Sequence, residues 1–507
     1  MATKTPWEEA SNNPGETESE RVLIKLARKA FLSLWSYPNV FTDEGQKNGK
    51  GDGKELCDLL VVFGNDVLLF SDKHCAFQNE KDISLAWSRW YRRAIEKSAN
   101  QLSGAEAFIK KFPKRVFLDK QCRTALPIEL PDASEARYHL LAVTRGSNAA
   151  AQKHFGAGGS GTLILFTELV GQAAHTPYPF MVGYPLDSRR FVHVLDEVSV
   201  ELLLDELDTV PDLVAYLRAK EALLQQRGRS FFITREEELL AYYLTNLIGD
   251  EHAFLQFPAD ADSVSLIEGG WLAYKSSVQR EAKKKADSIS YAWDGLIEHH
   301  SRLIRAGTAI SLHPLSGASA AEGAADHERI IRAFAKQDRL SRRTLVGHMN
   351  YALQKNDAGQ IFTRIFVSGG DRAYVFLTVP KPKDMTYSDY RASRVQTLSV
   401  YCNAIKDGMP MITEAIGIAC EPLCNEPSSM DFLHVDLSDD MSEEERKLWR
   451  AAADDLGILQ PKTPVVLSRT GEQRFPTPFA GSQYSHLAGA SMNREQRRAA
   501  AKAKRRR

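Results

Sequence analysis

Asp58, Ser71 and Lys73 have residue types and a spacing that suit a single site. They lie in KELCDLLVVFGNDVLLFSDK, where two apolar runs, residues 56–63 and 67–71, flank Gly64-Asn65. Both residues of that dipeptide tolerate positive φ, so the stretch reads as a tight hairpin. A two-residue loop pairs Phe63 with Asp66, and the same register sets Asp58 opposite Ser71. Side chains alternate along a strand, so Asp58, Ser71 and Lys73 are expected on one face, with Asp72 on the other. A carboxylate there can hold a hard divalent cation, which lowers the pKa of a bound water. A neighbouring lysine can orient that water and stabilise charge developing in a transition state. The flanking apolar residues imply a sheet covered on both faces, where an acid and a lysine are costly unless paired or metal-bound. A plain Asp58–Lys73 salt bridge, or a hydrogen bond from Ser71, is the structural alternative.

The elements that must position these residues are legible on both sides. A helix is expected from about Glu18 to Trp35, with Leu23, Ala27, Ala30, Phe31 and Leu34 on its buried stripe and Pro38 ending it. Residues 46–53 form a glycine-rich loop. A long helix over about residues 84–111 carries the stripe Trp87, Trp90, Tyr91, Ala94, Ser98, Gln101, Ala105 and Phe108, and a short strand follows at 115–118. Trp87 and Trp90 read as core rather than as a base-stacking platform.

This arrangement resembles the PD-(D/E)XK nuclease superfamily, in particular its NERD-like and Mrr-like branches. In that family a strand bearing Asp is followed, about a dozen residues on, by a strand bearing Glu-x-Lys. Here Asp58 takes the first position and Ser71-Asp72-Lys73 the second. The resemblance covers residues 20–118 and implies an αβββαβ core that cleaves DNA with Mg2+ or Mn2+. It also implies an acid on the first helix and a glutamine on the helix after the hairpin, which Glu20 and Gln101 would supply. Glu20 also completes a capping box with Thr17. The departure is Ser71, because a neutral hydroxyl is a weak metal ligand. Asp72 could replace it only if a bulge turned it inward. The family implies a metal-dependent nuclease, with a role in defence against foreign DNA. The alternative is a degenerate nuclease fold that binds nucleic acid or a partner protein without cleavage.

The fold class expected is α/β in the N-terminal part, α+β overall. A mixed-sheet restriction-endonuclease-like domain spans 18–228 after a disordered 1–17. A helix-rich α+β domain follows over 229–485, and a basic tail over 486–507. Further strands are expected near 138–144, 162–166 and 191–195, then a helical stretch over 198–226. A later hairpin pairs 361–367 with 372–379 through Ser-Gly-Gly-Asp, and Ser442 and Glu445 cap a last helix. Gly156 to Gly161 spells GxGxxG, but lies between a helix and a strand in the wrong order for dinucleotide binding. His299, His300, His327, His348 and His434 are dispersed. Residues 327–336 and 341–354 have the form of a helix-turn-helix, with Arg339, Arg342 and Arg343 at the joint.

Composition excludes the extreme classes. Hydrophobic residues at 43% and charged residues at 26% are ordinary for a globular chain of 507 residues. No run reaches the roughly 18 apolar residues of a membrane span, and the polar start lacks a signal peptide's apolar core, so a cytoplasmic protein without a membrane partner is expected. The six cysteines read as reduced thiols. Charge is uneven: residues 494–507 hold eight basic residues and Glu495, and that +7 leaves the rest of the neutral chain at −7. Contact with nucleic acid is therefore expected to begin at the tail.

Overall fold

The computed structural model describes residues 15, 17–31, 34–47, 50–78, 82–156, 160–258, 260–307, 320–355, 361–422, 429–457, 472–477 and 479. The basic tail and residues 157–159 of the GxGxxG stretch lie outside them. The described chain is mixed α/β and divides into two compact units, residues 1–284 with 474–507, and residues 285–473.

In the first unit, helix α1 (Glu18–Phe31) leads into β1 (Ser36–Thr42), β2 (Lys54–Phe63) and β3 (Asp66–His74). Helices α2 (Ile83–Tyr91) and α3 (Lys97–Lys111) follow, joined by the π-helical turn Arg92–Glu96, and then β4 (Val116–Phe117) and β5 (Arg137–Arg145). The Asp82 carboxylate caps α2 by accepting from the Ser84 and Leu85 amides. After β6 (Ile164–Val170), β7 (Met181–Tyr184) and β8 (His193–Asp196) come α4 (Glu197–Glu206) and α5 (Val210–Leu224). Thr209 caps α5, and Pro211 sits in its first turn, so the expected single helix over 198–226 is broken in two.

The main sheet has the order β4-β1-β2-β3-β5-β8. Strand β2 pairs antiparallel with both β1 and β3, whereas β5 runs parallel to β3 and β8 parallel to β5. Helix α1 packs on one face and α3 on the other, which is why the strands read as continuous apolar runs. Trp87 and Trp90 stack at 5.5 Å in the core between α2 and the sheet.

Two positions differ from the sequence expectation. Strand β1, which contains Pro38, was not legible as a strand. Pro38 is tolerated because β4 pairs only with Phe41 and Thr42, so the ladder on that side of β1 does not extend to the proline. The strand after α3 also moves: β4 lies at the far edge on β1, and β5 takes the place beside β3. The strand expected at 115–118 is therefore not the one beside the hairpin, and the sheet extends through β5 to β8.

The domain boundary expected after residue 228 falls inside the first unit, because β9 (Ser230–Ile233) and β12 (Ser263–Leu266) complete the sheet β12-β9-β6-β7. Between them lies the short pair β10 (Leu247–Ile248) and β11 (Glu251–His252). The second unit holds the hairpin β13 (Phe362–Ser368) and β14 (Arg372–Thr378), then β15 (Glu414–Cys420) and β16 (Met430–Asp436), in one mixed sheet. Helix α6 (Ala320–Ala335) and helix α7 (Arg339–Lys355) occupy the expected helix-turn-helix segment, but its arginines are buried. Arg339 and Arg342 pair with Asp294 at 2.9 and 2.6 Å, and Arg343 pairs with Asp287 at 2.9 Å. They serve the interior of the unit rather than offering cations to DNA. Among the described residues no helix is long and apolar enough to cross a membrane.

Candidate metal centre

The hairpin forms with the expected register: Phe63 pairs with Asp66, and the ladder continues to Leu59 and Phe70. Gly64 alone of the turn pair takes positive φ, at 59°. The ladder stops one step short of Asp58 and Ser71 because the Asp58 side chain intervenes. Its Oδ2 accepts the Asp72 backbone N–H at 2.5 Å.

Asp58 is buried, and Lys73 Nζ reaches to 3.8 Å from its Oδ2. Ser71 is also buried, but its hydroxyl donates to Ser98 Oγ at 3.2 Å and to Gln101 Oε1 at 3.3 Å, both on α3. Gln101 is thus a partner of Ser71. Asp72 faces Arg145, whose Nε and Nη2 lie 3.0–3.2 Å from its carboxylate. That fork commits the Asp72 carboxylate to Arg145, although the Asp58 and Glu20 charges still act on it.

A second carboxylate comes instead from Glu55, which hydrogen-bonds Asp58. Three residues apart on a regular strand, Glu55 and Asp58 would point to opposite faces. The β1–β2 register shifts between Val40–Cys57 and Phe41–Glu55, making Leu56 an extra residue. This bulge resets the alternation and turns Glu55 toward Asp58. Sequence periodicity gave no sign of it; the acid in KELCD was the available clue.

The Glu20 charge, from α1, acts on both Asp58 and Glu55, but among the described residues these three acids do not bring their oxygens together as a three-ligand metal group. The Glu20 backbone N–H donates to Thr17 Oγ1 at 3.2 Å, and its Oε1 accepts from the same hydroxyl at 2.9 Å. Its Oε2 accepts from Asn39 Nδ2 at 3.2 Å. The capping role and the place beside Asp58 therefore coexist. Asn39 has φ 49°, a left-handed conformation that asparagine tolerates better than most residues and that marks local constraint. Its buried Oδ1 has no hydrogen-bond partner among the described residues.

Electrostatics follow from these acidic charges. Burial raises the Asp58 carboxyl above its ordinary range, with Lys73 and the Asp72 N–H opposing that rise. Glu55 reaches solvent, yet its carboxyl is pushed up to about 7, first by desolvation, then by the Asp58 charge and their hydrogen bond. Asp58 faces Lys73, and the Glu55 and Glu20 charges add to the negative field around it. The donor set is all oxygen, which suits a hard divalent cation, and Asn39 Oδ1 adds a buried acceptor with no protein partner.

No family model matches the chain, and neither a curated protein nor a solved structure matches it.

Proposed function

We propose that this chain is a divalent-metal-dependent nuclease that hydrolyses phosphodiester bonds of DNA. The observation carrying this reading is the buried Asp58 beside Lys73 at one end of a β-hairpin, with the Glu55 and Glu20 charges acting on it. Helix α1, antiparallel β1–β3, helix α3 and then β5 beside β3 are compatible with an αβββαβ order, although the strand expected at 115–118 lies at the far edge.

Asp58 and Glu55, with Glu20 behind them, would hold Mg2+ or Mn2+. Such an ion supplies an acidified water and neutralises charge on the phosphate. Lys73, a third exposed, is free to turn from Asp58 toward an incoming phosphate and to stabilise its developing charge. Ser71 and Gln101 hold α3 against β3 and so position the strand that carries Lys73.

One observation favours the non-cleaving alternative. Ser71 occupies the position where the family has an acid, and it is committed to α3. Incubation of the purified full chain with Mg2+ or Mn2+ and a panel of DNA and RNA tests both readings. Metal-dependent cleavage that is lost in Asp58→Ala and Lys73→Ala supports the enzyme. Metal-independent nucleic-acid binding without cleavage supports the binder. Undiminished cleavage in chelator, or in either folded variant, removes these residues from the mechanism.

A further inference from the structure

At the other end of β3 a second cluster stands apart from the acids. His139 lies on β5, His193 on β8 and Glu221 on α5. Asp66, which begins β3, is seven residues from Lys73, about 23 Å along an extended strand. One ligand atom from each of His139, His193 and Glu221 lies within 4.8 Å of the other two. Both histidines are buried, His193 completely.

The distances have a definite shape. Glu221 Oε1 is 3.0 Å from His193 Nε2 and 3.7 Å from His139 Nδ1. Tetrahedral bonds of about 2.1 Å to nitrogen and oxygen separate neighbouring ligands by about 3.4 Å, so these values flank a four-coordinate ion. The His139 ring is fixed from behind: its Nε2 lies 3.0 Å from Asp66 Oδ1, and Arg218 Nη2 holds both Asp66 oxygens at 2.6 Å. With Nε2 donating to Asp66, the Nδ1 lone pair points toward the Glu221 oxygen. That Nδ1 is buried and has no hydrogen-bond partner, since 3.7 Å is beyond hydrogen-bond reach. A lone pair facing a carboxylate is unfavourable unless a positive centre lies between them. A carboxylate behind an imidazole whose other nitrogen faces a vacant ligand position is the usual support of a metal-binding histidine.

We propose that His139, His193 and Glu221 form a second site, for one borderline d-block divalent cation such as Zn2+, with Asp66 and Arg218 as its outer support. Two imidazoles and one carboxylate favour such an ion over Mg2+, which prefers oxygen donors. Asp66 and Glu221 against Arg218 leave one negative charge for the cation to offset. The cation would tie β5, β8 and α5 together, and the partly exposed Glu221 side leaves room for a water as fourth ligand.

The test uses the full chain, stripped with chelator and titrated with Co2+ and with Zn2+. One tightly bound ion per chain is expected to show the visible absorption of tetrahedral Co2+, distinct from any weaker ion at the oxygen-lined Asp58 site. X-ray absorption on the Zn2+-loaded wild type should count two imidazoles in the first shell, a readout that needs no variant to fold. Glu221→Gln keeps the side-chain shape and should weaken Co2+ binding by about 100-fold or more. Asp66→Asn should weaken it by about 10- to 100-fold, as loss of an outer carboxylate does. Asp58→Asn should leave it unchanged. No uptake would overturn the proposal and leave His139 as an imidazolium bridging Asp66 and Glu221. So would a first shell without imidazole, or an affinity that Glu221→Gln does not change.

Discussion

Replacing Lys73 with methionine separates charge from packing at the acidic cluster. The stem is conserved in size, and only the ammonium is lost. Two unit charges 3.8 Å apart interact by about 4 kcal/mol at an effective dielectric of 20. Lys73 is a third exposed, so solvent screening brings the net figure down to about 1 kcal/mol. The pH dependence has a definite sign. Asp58 and Glu55 are both raised in the folded state, by burial first, so their ionisation opposes folding. That cost is absent below their unfolded values, grows as pH rises through them, and is complete above the folded values. Lys73 offsets part of it. The destabilisation by Lys73→Met should therefore be smaller at pH 4 than at pH 8, where it reaches about 1 kcal/mol. Saturating Mg2+ should shrink it, because the cation replaces the missing ammonium. Urea unfolding at several pH values, with and without Mg2+, measures this directly. Cleavage should fall by about 100- to 1000-fold while metal binding persists. An equal loss of stability at pH 4 and pH 8 would refute the electrostatic reasoning, as would a difference that Mg2+ does not reduce.

Mn2+ affinity should rise between pH 5 and pH 8, because Glu55, raised to about 7, and Asp58 must lose protons to bind a cation. Calorimetry in buffers of different ionisation enthalpy would detect the released protons, and Glu55→Gln should flatten the profile. Ser71→Glu is expected to destabilise the fold by about 1–3 kcal/mol, since a larger side chain would be forced between β3 and Ser98; a gain in both stability and Mn2+ affinity would show that the pocket opens to the metal. Truncation after Met492 removes a tail with no aromatic side chain for stacking. It should lower DNA affinity about equally for all sequences and flatten the salt dependence by about 0.9 log units per lost phosphate contact. Identical salt slopes for full-length and truncated chains would assign the tail no phosphate contact.

The hairpin, its turn and its register could be read from the sequence because local rules decide them. A Gly-Asn pair between apolar runs specifies a two-residue turn, and a period of two then specifies which residues oppose each other. Helices α1 and α3 were legible for the same reason, through stripes spaced at three and four residues. The capping box at Ser442 and Glu445 also forms as local spacing required. The position of β5 beside β3 was beyond reach, because strand order depends on long-range pairing and not on any local pattern. The bulge at Leu56 was equally hidden, since one extra residue in a continuous apolar run leaves the composition unchanged while reversing the face of Glu55. Ser71 and Asp72 were identified as alternatives by alternation alone. Their partners, Gln101 and Arg145, decided which way each was committed. The histidine cluster joins residues 139, 193 and 221 from two strands and a helix. No spacing rule connects them, and only the parallel stacking of β5 on β8 beneath α5 brings their ligand atoms together.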